Sequence, residues 1–130
     1  MDFIRNKLNK FENHFNLLLN ASEDMITIHS IKGEYLYYHG PACYAIKSED
    51  VVGKMPSDLF DRNVSDSLIH AFNKVVKTGK TERIELLLDW LGEKKWFLEH
   101  IYPVKNESGK VVELVKICVD IHKRKIAEQE

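Results

Sequence analysis

The sequence predicts an α+β domain: a five-stranded antiparallel sheet with short helices and one longer helix on one face, preceded by an amphipathic N-terminal helix. Three observations predict it. The apolar spacing changes from helical to alternating, then back again, along the chain. The last three alternating segments are joined by short loops, which makes them an antiparallel meander. An earlier pair of β-branched and aromatic segments flanks Lys32-Gly33, and adding that hairpin to the meander gives one sheet with helices layered against it.

The elements follow in order. Phe3, Ile4, Leu8, Phe11, Phe15, Leu18 and Leu19 recur at helical spacing, which predicts an amphipathic helix of about five turns over 1–21. That stripe docks on its own domain, pairs with a second copy through Leu8, Phe11, Phe15 and Leu18, or does both. Met25 to His29 and Tyr35 to Tyr38 read as the hairpin strands, and Gly40-Pro41 ends the second. Short helical pieces follow over Ala42 to Ile46 and around Ser48 to Val52; Gly53 stops the latter, and Pro56 opens another turn. A longer helix runs from Ser65 to Lys77 on the stripe Val64, Leu68, Ala71, Phe72, Val75 and Val76, with Gly79 as its stop. The meander strands are Thr81 to Trp90, Lys94 to Val104 and Lys110 to Asp120. Ile121 to Glu130 begins a charged exit helix that has no stop signal, so the segment reads as one module of a longer chain. The division is therefore 1–21, 22–121 and 122–130.

Bulk properties narrow the function. At 130 residues the chain is one domain, long enough to bury a core. A formal net charge of −1 supplies no overall field for nucleic acid or an anionic membrane. No apolar run approaches the roughly 18 residues of a membrane span. Cys43 and Cys118 form neither a disulfide framework nor a CxxC pair, which fits a cytoplasmic setting. No nucleophile elbow, HExxH, P-loop or GxGxxG pattern is present, so catalysis is not expected. The six histidines show no zinc spacing, and no metal site is expected.

Several segments stand in the order of a known family. Asp24-Met25-Ile26 with Lys32-Gly33-Glu34-Tyr35-Leu36-Tyr37 resembles the opening hairpin of PAS domains, and Glu49-Asp50-Val51-Val52-Gly53-Lys54 resembles their following turn. Trp96-Phe97, Pro103-Val104 and Ser108-Gly109-Lys110-Val111-Val112 resemble the second and third meander strands. Asp120-Ile121, followed by basic residues and Ala127-Glu128, resembles the family's strand-to-helix exit. The resemblance covers Glu23 to Glu130. It implies a sensor module, commonly a homodimer, placed upstream of an effector domain such as a histidine kinase or a cyclic-dinucleotide enzyme. It also makes Asp120 and Ile121 the signal-relay residues. Two readings compete with a ligand-binding sensor: a ligand-free dimerisation module whose pocket is filled by Tyr44, Phe60, Phe72 and Phe97, and a small hot-dog-like hydrolase.

The cofactor is unknown from sequence. Some relatives hold haem through a histidine on the long helix, but at about 100° per residue His70 falls roughly 150° from the centre of the apolar stripe, towards solvent. Cys43 lies in Gly40-Pro41-Ala42-Cys43-Tyr44, which does not match the reactive-cysteine segment of flavin photosensors.

Alternation sorts the meander into two sets. One holds Ile84, Leu86, Leu88, Trp96, Leu98, His100, Tyr102, Val115, Ile117 and Val119; the other holds Arg83, Glu85, Leu87, Phe97, Glu99, Ile101, Leu114, Lys116 and Cys118. The first set is expected beneath the N-terminal helix. By resemblance, Phe97, Glu99 and Ile101 face the pocket, with Lys116 on the next strand. The expected ligand-binding residues are Leu68, Phe72, Phe97, Glu99, Ile101 and Lys116. The alternative for Glu99 and Lys116 is an exposed ion pair at the sheet rim.

Overall fold

The computed structural model describes residues 23–41, 44, 46–90 and 92–129. Alternation and turn chemistry produce five strands: β1 Met25–Ser30, β2 Tyr35–His39, β3 Glu82–Trp90, β4 Glu93–Lys105 and β5 Val111–Asp120. They form one antiparallel sheet in the order β2-β1-β5-β4-β3, so the first hairpin adds to the far edge of the meander. A 3-10 turn at Ser48–Asp50, a one-turn helix α1 at Pro56–Leu59 and the long helix α2 at Arg62–Thr78 lie between β2 and β3. The exit helix α3 spans His122–Gln129.

Helix α2 begins three residues before the expected Ser65. Asp61 caps it by accepting a 2.9 Å hydrogen bond from Val64 N, satisfying one of the free N–H groups of the first turn. It ends at Gly79, whose φ of 68° is left-handed and whose N–H returns to Val75 O. Leu68, Ala71, Phe72 and Val75 are buried against the sheet. Between β4 and β5, Asn106 Oδ1 accepts from Ser108 N and Lys110 N, at 3.1 and 3.0 Å, and holds the turn.

Register decides which side chains share a face. The turn between β3 and β4 pairs Trp90 with Glu93, which sets Leu86 opposite Phe97 and Ile84 opposite Glu99. Directly opposed residues of an antiparallel pair lie on one face. Ile84, Leu86 and Leu88 therefore belong with Phe97, Glu99 and Ile101, while Arg83, Glu85 and Leu87 belong with His100, Leu98 and Trp96. This corrects the expected grouping of β3. The strand is apolar at consecutive positions Leu86, Leu87 and Leu88, so hydrophobicity alone does not set its phase, and a one-residue slip inverts it.

The inner face, beneath the helices, carries the buried Met25, Thr27, His29, Leu86, Leu88, Phe97, Glu99, Ile101, Leu114, Lys116 and Cys118. The outer face carries Ile26, Ile28, Val115, Ile117 and Val119, half-buried, with Leu87 and Tyr102 exposed. The helix expected over 1–21, with Leu8, Phe11, Phe15 and Leu18, lies outside the described residues, as does most of the piece expected from Ala42 to Ile46. The hot-dog alternative is set aside by this strand order and by the gathering of the helices over one face between β2 and β3.

Candidate functional site

A cavity of about 50 Å³ lies between the inner face and the segment from Ile46 to Phe60. Its apolar wall is Met25, Ile46, Val51, Leu59, Phe60 and Leu88, and its polar groups come from Thr27, Tyr35, Tyr38, Glu99, Lys116 and Cys118. The volume holds on the order of one or two waters. A drug-sized or fused-ring ligand needs several times more, about 300–1,000 Å³.

Glu99 and Lys116 arrive from neighbouring strands. Glu99 stands opposite Cys118, and Lys116 opposite Ile101, so the two are diagonal neighbours on one face. Lys116 Nζ lies 3.8 Å from Glu99 Oε1, with side chains 4% and 1% exposed, which excludes a solvated rim pair. That separation is an ion pair but too long for a hydrogen bond. Glu99 Oε2 is buried, and the donors beside the carboxylate are the Lys116 ammonium and the Cys118 thiol. Burial works against the Lys116 charge, yet the Glu99 carboxylate and the Tyr35 hydroxyl beside it hold the ammonium protonated above the ordinary lysine range. The nitrogen also sits 5.6 Å from the Tyr35 ring centroid. Burial, reinforced by Glu99, pushes the Cys118 thiol up, so the sulfur is a neutral wall atom.

His29 stands behind this pair. Burial and the Lys116 charge push its pKa down to about 3, so the ring is neutral at pH 7. Its Nδ1 lies 3.1 Å from Gly33 O, which can only accept, so Nδ1 carries the proton. Nε2 then accepts from the Thr27 hydroxyl at 2.8 Å. Tyr35 and Phe72 pack on the ring at 4.3 and 4.7 Å between centroids. Gly33 makes the arrangement possible. Its φ is +104°, and a Cβ there would stand 2.8 Å from Ile69 Cδ1.

Of the expected ligand-binding residues, Glu99 and Lys116 line the cavity. Leu68, Phe72, Phe97 and Ile101 are all 0% exposed and pack in the core beside it. Thr27, Tyr35 and Tyr38 are wall residues outside the set expected from sequence. Thr27 and His29 carried a signal, since they are polar positions on the buried alternation of an otherwise apolar strand. His70 is exposed on α2.

The strand-to-helix junction is tied to β4. Ile121 is buried, and its N–H donates to Trp96 O at 3.0 Å. Asp120 Oδ1 accepts from His122 N at 2.9 Å, capping α3. His122 Nδ1 accepts from Trp96 N at 3.3 Å. Further along α3, Lys125 Nζ lies 2.6 Å from Glu85 Oε2 and 5.2 Å from the Trp96 ring centroid, with Arg124 Nη2 3.5 Å from Glu85 Oε1. Glu85 and Trp96 both belong to the outer face, so the exit helix docks there.

A five-stranded sheet of this order, with its helices gathered over one face and a cavity between, defines a PAS-type fold. Residues 19–126 match the family model described as PAS fold, and the chain belongs to that family. Solved structures agree. The PAS domain of a Colwellia psychrerythraea protein is 17% identical, with a TM-score of 0.73 over 88% of this chain and 99% of that one. The PAS domain of Bordetella pertussis BvgS is 12% identical, with a TM-score of 0.66 over 92% and 93%. The Cronobacter turicensis RpfR quorum-sensing receptor PAS domain, in complex with BDSF, is 16% identical, with a TM-score of 0.64 over 77% and 95%. A comparison with curated proteins finds no significant match. Among the described residues, no helix is long and apolar enough to cross a membrane.

Proposed function

We propose that this chain is a non-catalytic sensory and dimerisation module that binds a small molecule and relays the change to a downstream effector domain, such as a histidine kinase or a cyclic-dinucleotide enzyme, in the cytoplasm. The observation that carries the reading is the buried Glu99–Lys116 pair in the cavity wall, with Lys116 on β5, the strand that leads into the exit helix. Lys116 lies four residues before Asp120 on β5, about 13 Å of strand. Leu68, Phe72, Phe97 and Ile101 supply the rigid apolar backing. Asp120 and Ile121 transmit a shift of β5 into α3, and the helix over 1–21 pairs two copies through Leu8, Phe11, Phe15 and Leu18. The relative in complex with BDSF supports ligand binding as a use of this fold. A ligand drives the relay only through unequal affinity for two packings of the exit helix.

The small volume favours a second reading, a ligand-free interaction module. Phe60 and Tyr44 pack against the core, and the Tyr44 ring meets Phe97 edge-on at 6.3 Å. Thermal-shift screening of a metabolite collection against the wild type and Glu99→Gln/Lys116→Met separates the two. A ligand that binds only the folded state raises its stability by mass action. The sensor reading expects compounds that stabilise the wild type and lose their effect in the double variant. Compounds that stabilise both equally, or none that stabilise either, favour the interaction module.

A further inference from the structure

Where β5 ends, a side chain takes over from the sheet's hydrogen-bond ladder. A hydrogen-bonded pair in an antiparallel ladder exchanges two bonds, one in each direction. Trp96 and Ile121 make the first of them, with Ile121 N–H donating to Trp96 O at 3.0 Å. The return bond is not made, because Ile121 O turns into the exit helix and accepts from Lys125 N at 2.9 Å. Trp96 N–H donates to His122 Nδ1 at 3.3 Å. The imidazole thus stands in for the carbonyl that a continuing strand would supply. A ring nitrogen that accepts carries no proton, so the neutral ring fits here with its proton on Nε2. A second proton would make Nδ1 a donor aimed at a donor.

Charge surrounds the ring within one groove: Glu23 and Asp24 ahead of β1, Lys95 near the start of β4, Asp120 at the end of β5, and Lys123 and Arg124 on α3. The three carboxylates attract an imidazolium away from Trp96, and the three cations oppose its charge. The other fastenings of α3 do not use the ring. Glu85 holds Lys125 and Arg124, and Asp120 Oδ1 holds the His122 backbone N–H.

We propose that His122 is a proton-sensitive latch on the exit helix. Neutral, it ties α3 to β4; protonated, it lets go of Trp96 N–H and loosens the junction. Docking favours the neutral ring, so it is complete at higher pH and weakens as pH falls through the span in which histidine changes charge, roughly pH 8 to 5. The latch goes beyond the sensory reading and works whether or not the cavity takes a ligand.

Amide hydrogen exchange on the full chain, expressed as protection relative to the unfolded chain, tests this at about pH 7.5 and 5.5. In the wild type, protection of Trp96 N–H and of 125–129 should fall about five- to tenfold on acidification. His122→Asn, whose Oδ1 accepts where Nδ1 does but takes no proton, should keep the higher protection at both values. His122→Ala should show the lower protection at both. Nitrogen NMR of the wild-type ring should show Nδ1 unprotonated at the higher pH and taking its proton in step with the loss. If the Asn variant does not restore the bond, that in-step titration decides. Equal wild-type protection at both pH values, the same acid loss in His122→Asn, full protection in His122→Ala, or a ring that gains its proton without loss of protection overturns the latch.

Discussion

Glu99 and Lys116 show how much a single pair of side chains decides. Each is buried, so removing one leaves the other charge without compensation, a loss of roughly 3–5 kcal/mol. An exposed pair would lose only about 0–1 kcal/mol. Urea unfolding of Glu99→Gln, Lys116→Met and the double variant should show two large single losses and a double loss well below their sum; additive losses would mean the groups do not interact. His29 gives a second prediction. Its folded pKa of about 3 lies below its ordinary 6.5, so between those values the unfolded chain binds the extra proton. Stability contributed by His29 is therefore complete above pH 6.5 and is lost as pH falls towards 3, by at most about 1.4 kcal/mol per pH unit. The wild type should lose stability relative to His29→Gln between pH 6.5 and 5, and parallel curves would contradict the neutral buried ring. Alternation put Glu99 on one face with Phe97 and Ile101, but only the family resemblance turned that face inward, and an exposed rim pair competed with it until the burial of both side chains was seen. The Thr27–His29–Gly33 chain was not legible, because its meaning depends on the carbonyl of a turn glycine that only the folded hairpin brings back to the ring.

At the scale of elements, the five strands, the long helix and the exit helix were legible, each from a local period and a nearby turn residue. The phase of β3 was not, because Leu86, Leu87 and Leu88 look alike to an alternation rule and only pairing with β4 sorts them. The start of α2 was misplaced because Arg62 and Asn63 carry no apolar signal, although Asp61 is a capping residue three positions before the Val64 N–H it holds. Asp61→Ala should cost about 1 kcal/mol in urea unfolding and leave the cavity amides in place. A loss near zero would mean that solvent satisfies the helix end equally well. The docking of α3 was also hidden, since Glu85 and Lys125 lie far apart in sequence and meet only after three strands have paired.

In the whole molecule, one sheet separates an inner cavity from an outer face on which the exit helix docks. The outer face is a row of half-buried β-branched residues, which fits the amphipathic stripe expected over 1–21. Leu8→Glu with Phe15→Glu should turn dimers into folded monomers in analytical ultracentrifugation. Unchanged dimers would exclude that interface, and unfolded protein would make the helix part of its own domain's core. In the proposed relay, the Glu99–Lys116 pair and the exit helix respond to each other through β5. Hydrogen exchange over 121–129 tests it most directly, comparing the wild type with Glu99→Gln/Lys116→Met. Opening at a helix terminus reports local stability without requiring global unfolding. Coupling through β5 should change the protection of 121–129 several-fold in the double variant while that of α2 stays as it was. Identical protection of the exit helix in both proteins would contradict it.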